Sequence, residues 1–435
     1  MLQAGFAVTD ITPPLGVELT GFAGRRSGAI GVHDPLQARA LVLEHESQRL
    51  AIVCCDLLGL DFESVAQVRD EVARRVAIPA EALMISCSHT HSGPASMHLR
   101  GMGEPDAAYL DVLLRKCADA VQMAAENLAP ARLGWGRGEV QIGINRREWA
   151  KSAMVLGQNP AGPVAPFVDV LRVDREEVRF VLGVHAAHAV VLGGDNLYFS
   201  ADYPGYARLT VEGGAQVPTR ALFAQGCCGN INSQVVGGAF EDARRLGTIL
   251  GTEVLKAAES TETGAETRLA ARSKGLELPV IVPSPEEARA TLARYQQGYE
   301  EAKAQGADER TLGMRRAHVD WEGHVVEIAE GRAPAEPGPF EVQVLRIGDG
   351  ALVGLSGEVF VEYALAIEAR SPARHTAVAA YSNGVVGYVP TESAYPEGGY
   401  EVEGAHHYYG RLMIAPASGG MILEAASELL SALWA

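Results

Sequence analysis

The chain lacks long apolar runs and any excess of positive charge. Its 435 residues include 37 Lys and Arg against 54 Asp and Glu, a formal net charge of −17. Because no basic run offsets this charge, a phosphate backbone or an anionic membrane would be repelled, and we expect no nucleic-acid partner. No stretch of about 18 uninterrupted apolar residues occurs, which predicts a soluble protein without a transmembrane segment.

Cysteine is also scarce and its spacing is not that of a disulfide framework. The six cysteines comprise two adjacent pairs, Cys54-Cys55 and Cys227-Cys228, together with Cys87 and Cys117, and no C-x-x-C spacing is present. We interpret them as small buried apolar residues in a reducing compartment. The segment Met1 to Phe6 has no basic region followed by an apolar core, so the predicted localisation is cytoplasmic.

The order of apolar patterns predicts an α/β fold with mixed β-sheets. Hydrophobic residues make up 47% of the chain, enough for a large core. We predict strands over 38–44, 49–56, 82–87, 180–188, 221–225, 324–329, 340–347 and 351–355. Helices are predicted over 63–76, 106–128, 241–258 and 420–433. The polar stretch at about 284–320 is interpreted as a helical excursion on the surface, and its role as a lid stays open.

The sequence Ser88-His89-Thr90-His91-Ser92-Gly93-Pro94 places two imidazoles at the end of a predicted strand. On extended backbone, residues i and i+2 point to the same face, so we expect the two rings to converge. Such a pair alone is more often a solvated surface turn than a metal site, because ligands come in threes and fours.

Three further residues with ligand-type side chains follow apolar or glycine-rich segments. His188 ends the apolar run Val181 to Ala187, Glu358 follows Gly354-Leu355-Ser356-Gly357, and Tyr388 follows Ser382-Asn383-Gly384 at short distance. Each is weak evidence by itself. Together with His89 and His91 they indicate a metal site built from strand ends.

At these positions the chain resembles the neutral (alkaline, non-lysosomal) ceramidases, whose catalytic domain carries a G-T-H-T-H-S-G-P motif. The similarity extends over nearly the whole chain, through Gly31-Val32-His33, Ile144-Asn145-Arg146, Asp202 to Ala207, Ser356-Gly357-Glu358 and Ser382-Asn383 to Tyr388. Ser356 stands where the family usually has proline, and the segment from Tyr388 to Gly410 is about two residues longer.

The resemblance implies a fold, an activity and a set of site residues. It implies one large catalytic domain over 1–435, with mixed β-sheets flanked by helices and without the family's C-terminal immunoglobulin-like domain. It implies zinc bound by His89, His188, Glu358 and Tyr388, with His91, Arg146 and Tyr400 on the substrate side. The implied function is hydrolysis of an amide (N-acyl) bond in a small or lipid-like substrate, as part of lipid metabolism.

The residue types agree with this chemistry. Two imidazoles, a carboxylate and a phenol suit Zn²⁺, which lowers the pKa of a bound water to about 7 and polarises a carbonyl. We expect attack by the zinc-bound water, proton transfer to the leaving amine by His91, and stabilisation of the oxyanion by Arg146 and Tyr400. Asp195 and Asp202 are either hydrogen-bond acceptors for the imidazoles or ordinary turn carboxylates.

Several alternatives remain open. The same zinc chemistry would hydrolyse an ester or lactone of a sugar or metabolite, and a metal-stabilised binding protein without turnover is a further possibility. His185 is expected in the core or in support of a metal ligand, because in a strand it faces away from His188. His406 and His407 line either the substrate entrance or the surface. A serine nucleophile at Ser92 is not favoured, since no G-x-S-x-G turn surrounds it.

Overall fold

The computed structural model describes residues 1–25, 27–265 and 267–435. The strands are β1 (Gln3–Asp10), β2 (Gly31–Val32), β3 (Gln37–His45), β4 (Gln48–Cys55), β5 (Leu83–Cys87), β6 (Ala129–Pro130), β7 (Arg132–Glu139), β8 (Gly143–Ala150), β9 (Ala153–Asn159), β10 (Phe167–Asp174), β11 (Arg179–His185), β12 (Tyr198–Phe199), β13 (Thr219–Gln225), β14 (Ile231–Ser233), β15 (Leu269–Leu278), β16 (Gly338–Ile347), β17 (Gly350–Leu355), β18 (Glu358–Val359), β19 (His375–Ala379) and β20 (Tyr388–Val389). The α-helices are α1 (Phe62–Val76), α2 (Ala107–Glu126), α3 (Asp202–Gly214), α4 (Phe240–Ser260), α5 (Pro285–Ala304), α6 (Glu309–Ala329), α7 (Val361–Arg370), α8 (His406–Tyr409) and α9 (Ser418–Trp434), and a π-helical turn spans Tyr400–Gly404.

The three largest sheets form the framework of the fold. Sheet A has the order β5-β4-β3-β1-β6, sheet B has the order β13-β11-β10-β7, and sheet C has the order β15-β16-β17-β19. Each combines antiparallel hairpins with one parallel pair. The predicted fold class, mixed β-sheets flanked by helices, is therefore confirmed. The extent of the catalytic domain, 1–435, stays a prediction.

A helix crosses between the two parallel strands of each sheet. Helix α1 joins β4 to β5, α3 joins β11 to β13, and α7 joins β17 to β19. Parallel strands need such a crossover, and ligands bind beyond their carboxyl ends in open α/β sheets.

Backbone hydrogen bonds bring these strand ends of the three sheets together. The amide of Cys87 at the end of β5 donates to the carbonyl of Tyr381, which follows β19, at 3.1 Å. The amide of Ala380 donates to the carbonyl of Gln225, the last residue of β13, at 2.9 Å. The segment that follows β19 of sheet C is thus hydrogen-bonded to the last residue of β5 in sheet A and to the last residue of β13 in sheet B. The site described below lies at this junction of the three sheets.

Local sequence explains why the crossover helix α1 begins and ends where it does. The side chain of Asp61 accepts a hydrogen bond from Ser64 N at 2.7 Å, which caps the helix. Val65, Val68 and Val72 recur at helical spacing and are buried in the main hydrophobic core. Ala77 then adopts a left-handed conformation (φ 55°) and ends the helix.

Helices α5 and α6 form a hairpin with a small core of its own. Ala288, Trp321, Val325, Val326, Ile328 and Leu412 are buried there. The strand predicted over 324–329 is wrong, because these residues form the last two turns of α6. Within the described residues, none of the helices has both the length and the apolar character needed to cross a bilayer.

Candidate metal centre and active site

The residues after β5, β11 and β17 bring four candidate side chains together. His89 and His91 follow β5, His188 follows β11, and Glu358 follows β17. All but His91 are at most 3% exposed, and His91 is partly buried. The three imidazoles offer ligand atoms that lie within 4.8 Å of one another. The junction of the sheets therefore holds a compact cluster of metal-ligand side chains.

The backbone fixes which nitrogen of each imidazole faces the cluster. Each Nδ1 donates to a carbonyl oxygen: His89 to Leu58 at 2.7 Å, His91 to Gly21 at 3.0 Å, and His188 to Cys228 at 2.6 Å. Because a carbonyl only accepts, the proton of the neutral ring lies on Nδ1 and the lone pair on Nε2. The Nε2 atoms of His89 and His91 approach to 3.3 Å.

The carboxylate of Glu358 completes the cluster. Its Oε2 lies 3.1 Å from His188 Nε2 and 3.4 Å from His89 Nε2. Burial by itself would raise the pKa of Glu358, but the neighbouring His89 and His188 outweigh it and hold that pKa well below its usual value. Burial, followed by the charge of Arg146, lowers the pKa of His188 to about 4. Glu358 is thus ionised, and the His188 ring beside it is neutral near pH 7.

Two tyrosines that the sequence analysis did not identify hold this carboxylate. The hydroxyl of Tyr409 donates to Oε1 of Glu358, and that of Tyr381 lies 3.4 Å from Oε2. The ring of Tyr381 also stacks on His89, with centroids 4.0 Å apart. Burial, with the carboxylate of Glu358 among the further causes, raises both phenol pKa values well above the usual range, so both hydroxyls remain donors.

Arg146 lies at the edge of the cluster, in β8. Its Nη1 is 3.4 Å from His188 Nε2, and its Nη2 donates to the hydroxyl of Tyr388 at 2.9 Å. Its Nε donates to Glu401 Oε1 at 2.8 Å, a buried partner that the sequence did not reveal. Burial alone would lower the pKa of Arg146, but Tyr388 and Glu401 outweigh it, so the guanidinium stays charged.

The remaining predicted residues lie around Arg146. The ring centroids of Tyr388 and Tyr400 are 5.7 Å apart, and the guanidinium carbon of Arg146 is 5.9 Å from the Tyr400 ring. Tyr388 also pairs in register with Glu358 between β18 and β20. The roles assigned to these residues, including Tyr388 as a metal ligand, stay predictions.

The prediction that His89 and His91 lie on extended backbone is wrong, although the two rings meet. His89 has a left-handed backbone (φ 59°), so the pair is not on extended chain. The imidazole Nδ1 atoms bond to backbone carbonyls, not to Asp195 or Asp202. Asp195 is exposed, and Asp202 accepts from Leu192 N at 2.9 Å. The protein positions these rings with the backbone.

The other histidines lie outside the cluster. His185 is buried and its Nδ1 donates to Phe167 O at 2.7 Å, as expected of a core residue. His407 is buried beside Glu322, 2.5 Å from its Oε1, while His406 is partly buried. Both residues lie in helix α8 and neither is exposed, so the alternative that placed them in a surface loop is wrong.

The donor set fits a zinc ion. Three imidazole nitrogens and a carboxylate oxygen converge here, a set of donor atoms that suits a divalent cation. His89, His188 and Glu358 are the residues in mutual contact, and His91 adds a third Nε2. The hydrogen bonds at each Nδ1 are those typical of metal-binding histidines.

Comparison with known proteins finds the same family that the sequence motifs resemble. A family model described as "Neutral/alkaline non-lysosomal ceramidase, N-terminal" matches residues 2–263. The neutral ceramidases of Drosophila melanogaster and Drosophila pseudoobscura pseudoobscura are each 25% identical over 262 residues, covering 54% of this chain and 36% of the relative. The aligned part thus spans about a third of the length of these relatives.

Solved structures extend the similarity of fold to the whole chain. The neutral ceramidase from Pseudomonas aeruginosa aligns with a TM-score of 0.75 at 20% identity, covering 99% of this chain and 74% of that chain. A ceramidase complexed with C2 aligns with a TM-score of 0.77 at 20% identity, covering 100% and 75%. Since the family model covers more than half of the sequence, this chain belongs to the neutral/alkaline non-lysosomal ceramidase family.

Proposed function

We propose that this protein is a zinc-dependent hydrolase that cleaves an amide bond in an N-acyl substrate. The observation that carries the proposal is the convergence of three imidazole Nε2 atoms and the Glu358 carboxylate at one buried point. Family membership favours an amide as the bond that is cleaved. The proposed metal ligands are His89, His188, Glu358 and Tyr388.

The chain's own groups suit the steps of amide hydrolysis. A zinc ion at this site would supply a Lewis acid that polarises the carbonyl and lowers the pKa of water. Arg146 is charged and buried, with Tyr400 beside it, and is the group that we propose to stabilise negative charge on the carbonyl oxygen. His91 has an Nε2 facing the cluster and is the proposed carrier of the proton to the leaving amine.

Metal content is the first test. We expect about one zinc per chain in purified protein, measured by plasma mass spectrometry, and loss of activity on chelation that zinc restores. His188→Ala removes a proposed ligand and should abolish zinc content and turnover. His98→Ala is the matched control, since His98 is exposed and lies outside the cluster. Zinc-free wild-type protein that remains active with chelator would refute the proposal.

The bond that is cleaved is tested with matched substrates. An N-acyl amine and the ester of the same acyl chain present the same hydrocarbon to the site but differ in the leaving group. We expect the zinc-loaded protein to hydrolyse the amide and expect His188→Ala to be inactive toward both. Turnover of the ester alone would replace the amidase by an esterase, while zinc binding without turnover of either would indicate a binding protein.

A further inference from the structure

A cavity of about 460 Å³ lies between the α5–α6 hairpin and the segment that begins with the π-helical turn. Its described lining comprises Arg294, Tyr295 and Gly298 of α5, Met314, Arg315 and His318 of α6, and Tyr400, Gly404 and Tyr408 of the third segment. Three tyrosines and a methionine give it largely apolar walls. The volume is in the range of pockets that bind small molecules.

Tyr400 lies next to both this cavity and the residues that border the metal cluster. Its side chain lines the cavity, and its ring lies 5.7 Å from the ring of Tyr388 and 5.9 Å from the guanidinium carbon of Arg146. Arg146 in turn lies 3.4 Å from His188. A substrate whose amide bond reaches the cluster therefore has this cavity as neighbouring space for one of its two ends.

The charge of the cavity is opposite to that of the protein. Arg294 and Arg315 are both exposed, and the described lining includes no aspartate or glutamate. Arg315 Nη1 donates to the carbonyl of Gly298 at 3.0 Å, and the Arg294 guanidinium lies 5.7 Å from the Tyr295 ring centroid. In the described part of the chain, no carboxylate forms an ion pair with either arginine.

Two unpaired cations at this place favour an anionic ligand. The net charge of −17 repels anions from most of the surface, so an anionic substrate needs local positive charge to bind. Guanidinium groups bind carboxylate and phosphate through two parallel hydrogen bonds. The acyl chain of a simple fatty acid is hydrocarbon, so we assign the anionic group to the amine portion of the substrate.

Building on the proposed amide hydrolysis, we infer that the substrate is an N-acyl amine whose amine portion carries a carboxylate or phosphate bound by Arg294 and Arg315. In the reaction, water adds to the amide carbonyl carbon, the C–N bond breaks, and the nitrogen leaves with a proton. The products are a fatty acid and an amino acid or amino phosphate.

Two substrate pairs that differ in charge test the inference. N-decanoylglycine is compared with N-decanoylglycinamide, and N-decanoyl phosphoethanolamine with N-decanoyl ethanolamine. We expect the anionic member of at least one pair to have a kcat/KM at least tenfold higher, mainly through KM, and the two pairs distinguish carboxylate from phosphate. Equal kcat/KM within both pairs, or preference for the neutral members, would overturn the inference.

Substitution of the two arginines tests the site. In Arg294→Gln/Arg315→Gln we expect the KM of the preferred anionic substrate to rise roughly tenfold, since exposed charge pairs contribute modestly, while the neutral partner is unaffected. Arg316→Gln is the matched control. Arg316 is exposed on α6 next to Arg315, its Nη2 donates to the hydroxyl of Tyr299 at 2.9 Å, and it does not line the cavity. An unchanged KM in the double variant would exclude this cavity as the anion site.

A binding measurement keeps this inference separate from the proposed function. Decanesulfonylglycine and its amide cannot be hydrolysed at the sulfonamide, so calorimetry with the zinc-loaded protein reports binding alone. We expect tighter binding of the carboxylate, lost in the double variant and weakened by salt. If the protein binds zinc and hydrolyses neutral substrates but does not bind the carboxylate more tightly than the amide, the inference about the anion site is contradicted and the proposed function is not. Absence of zinc and of all hydrolysis, with the charge preference intact, would contradict the proposed function alone.

Discussion

The position of His91 depends on a glycine from a distant loop. The carbonyl of Gly21 accepts from His91 Nδ1 at 3.0 Å, and the backbone of Gly21 is left-handed (φ 91°). A Cβ atom at Gly21 would lie 2.4 Å from His91 Nδ1, closer than any real contact. The third imidazole of the cluster therefore requires glycine at this position for two reasons, conformation and space.

We predict that Gly21→Ala displaces His91 and lowers kcat at least tenfold. Gly16→Ala is its control, because Gly16 has nearly the same conformation (φ 92°) with nothing within 4 Å of the added Cβ. Both variants should lose about 1–2 kcal/mol of stability from the left-handed backbone, but only Gly21→Ala should lose activity. Steady-state kinetics beside thermal unfolding measures the difference. Equal activities would show that the position of His91 is unimportant.

The sequence predicted the residues that have chemistry of their own, and it missed those that act through another residue. His89, His188 and Glu358 were identifiable because each follows an apolar or glycine-containing segment in a stretch that resembles the family. Tyr381 and Tyr409 reach Glu358 from positions 23 and 51 residues away. Such contacts depend on how the strand ends meet in space, and no local pattern encodes that.

At the scale of elements, periodicity predicted the strands β3, β4, β5, β11, β13, β16 and β17 and the helices α1, α2, α4 and α9. It missed the other strands that the structure describes, and it gave a strand for the end of α6. His324 to Ala329 contains Val325, Val326 and Ile328, which suggested a strand. In the structure, Trp321, Val325 and Ile328 recur at helical spacing and pack in the small core of the hairpin. The run is short enough to fit either period, and only the packing partner from α5 decides between them.

A buried ion pair holds the crossover helix α3 to the end of β4. Arg208 donates from Nη1 and Nη2 to the two carboxylate oxygens of Asp56 at 2.5 and 2.7 Å, with side chains 7% and 1% exposed. Asp56 also accepts from Gln37 N at 2.9 Å, so one carboxylate connects α3 with two neighbouring strands. Removing its charge would leave the buried Arg208 without the carboxylate to which it is hydrogen-bonded.

We therefore predict that Asp56→Asn lowers the free energy of unfolding by about 3 kcal/mol or more, measured by urea denaturation. The exposed pair of Asp111 and Arg115, 3.1 Å apart, gives the control, and Asp111→Asn should change stability by less than about 0.5 kcal/mol. A small effect of Asp56→Asn, similar to that of the control, would mean that α3 is held mainly by its apolar face.

At the scale of the whole molecule, the proposed metal ligands connect the three sheets. His89 follows a strand of sheet A, His188 a strand of sheet B, and Glu358 a strand of sheet C. No single sheet contains two of the three, so the cluster forms only when all three sheets have assembled. A cation bound here would stabilise the assembled state against every state in which one sheet has separated.

This arrangement predicts that zinc raises the melting temperature of the protein. At free zinc a hundredfold above Kd, binding adds about 2.7 kcal/mol, which for a chain of this length corresponds to a shift of about 3 °C. Differential scanning calorimetry of chelated and zinc-loaded protein measures it. His188→Ala should melt at the same temperature with and without zinc, whereas His98→Ala should keep the shift. Without His188 the cluster has no ligand from sheet B, so zinc bound there would no longer connect the three sheets. If zinc raised the melting temperature of His188→Ala as much as that of the wild type, zinc would bind elsewhere.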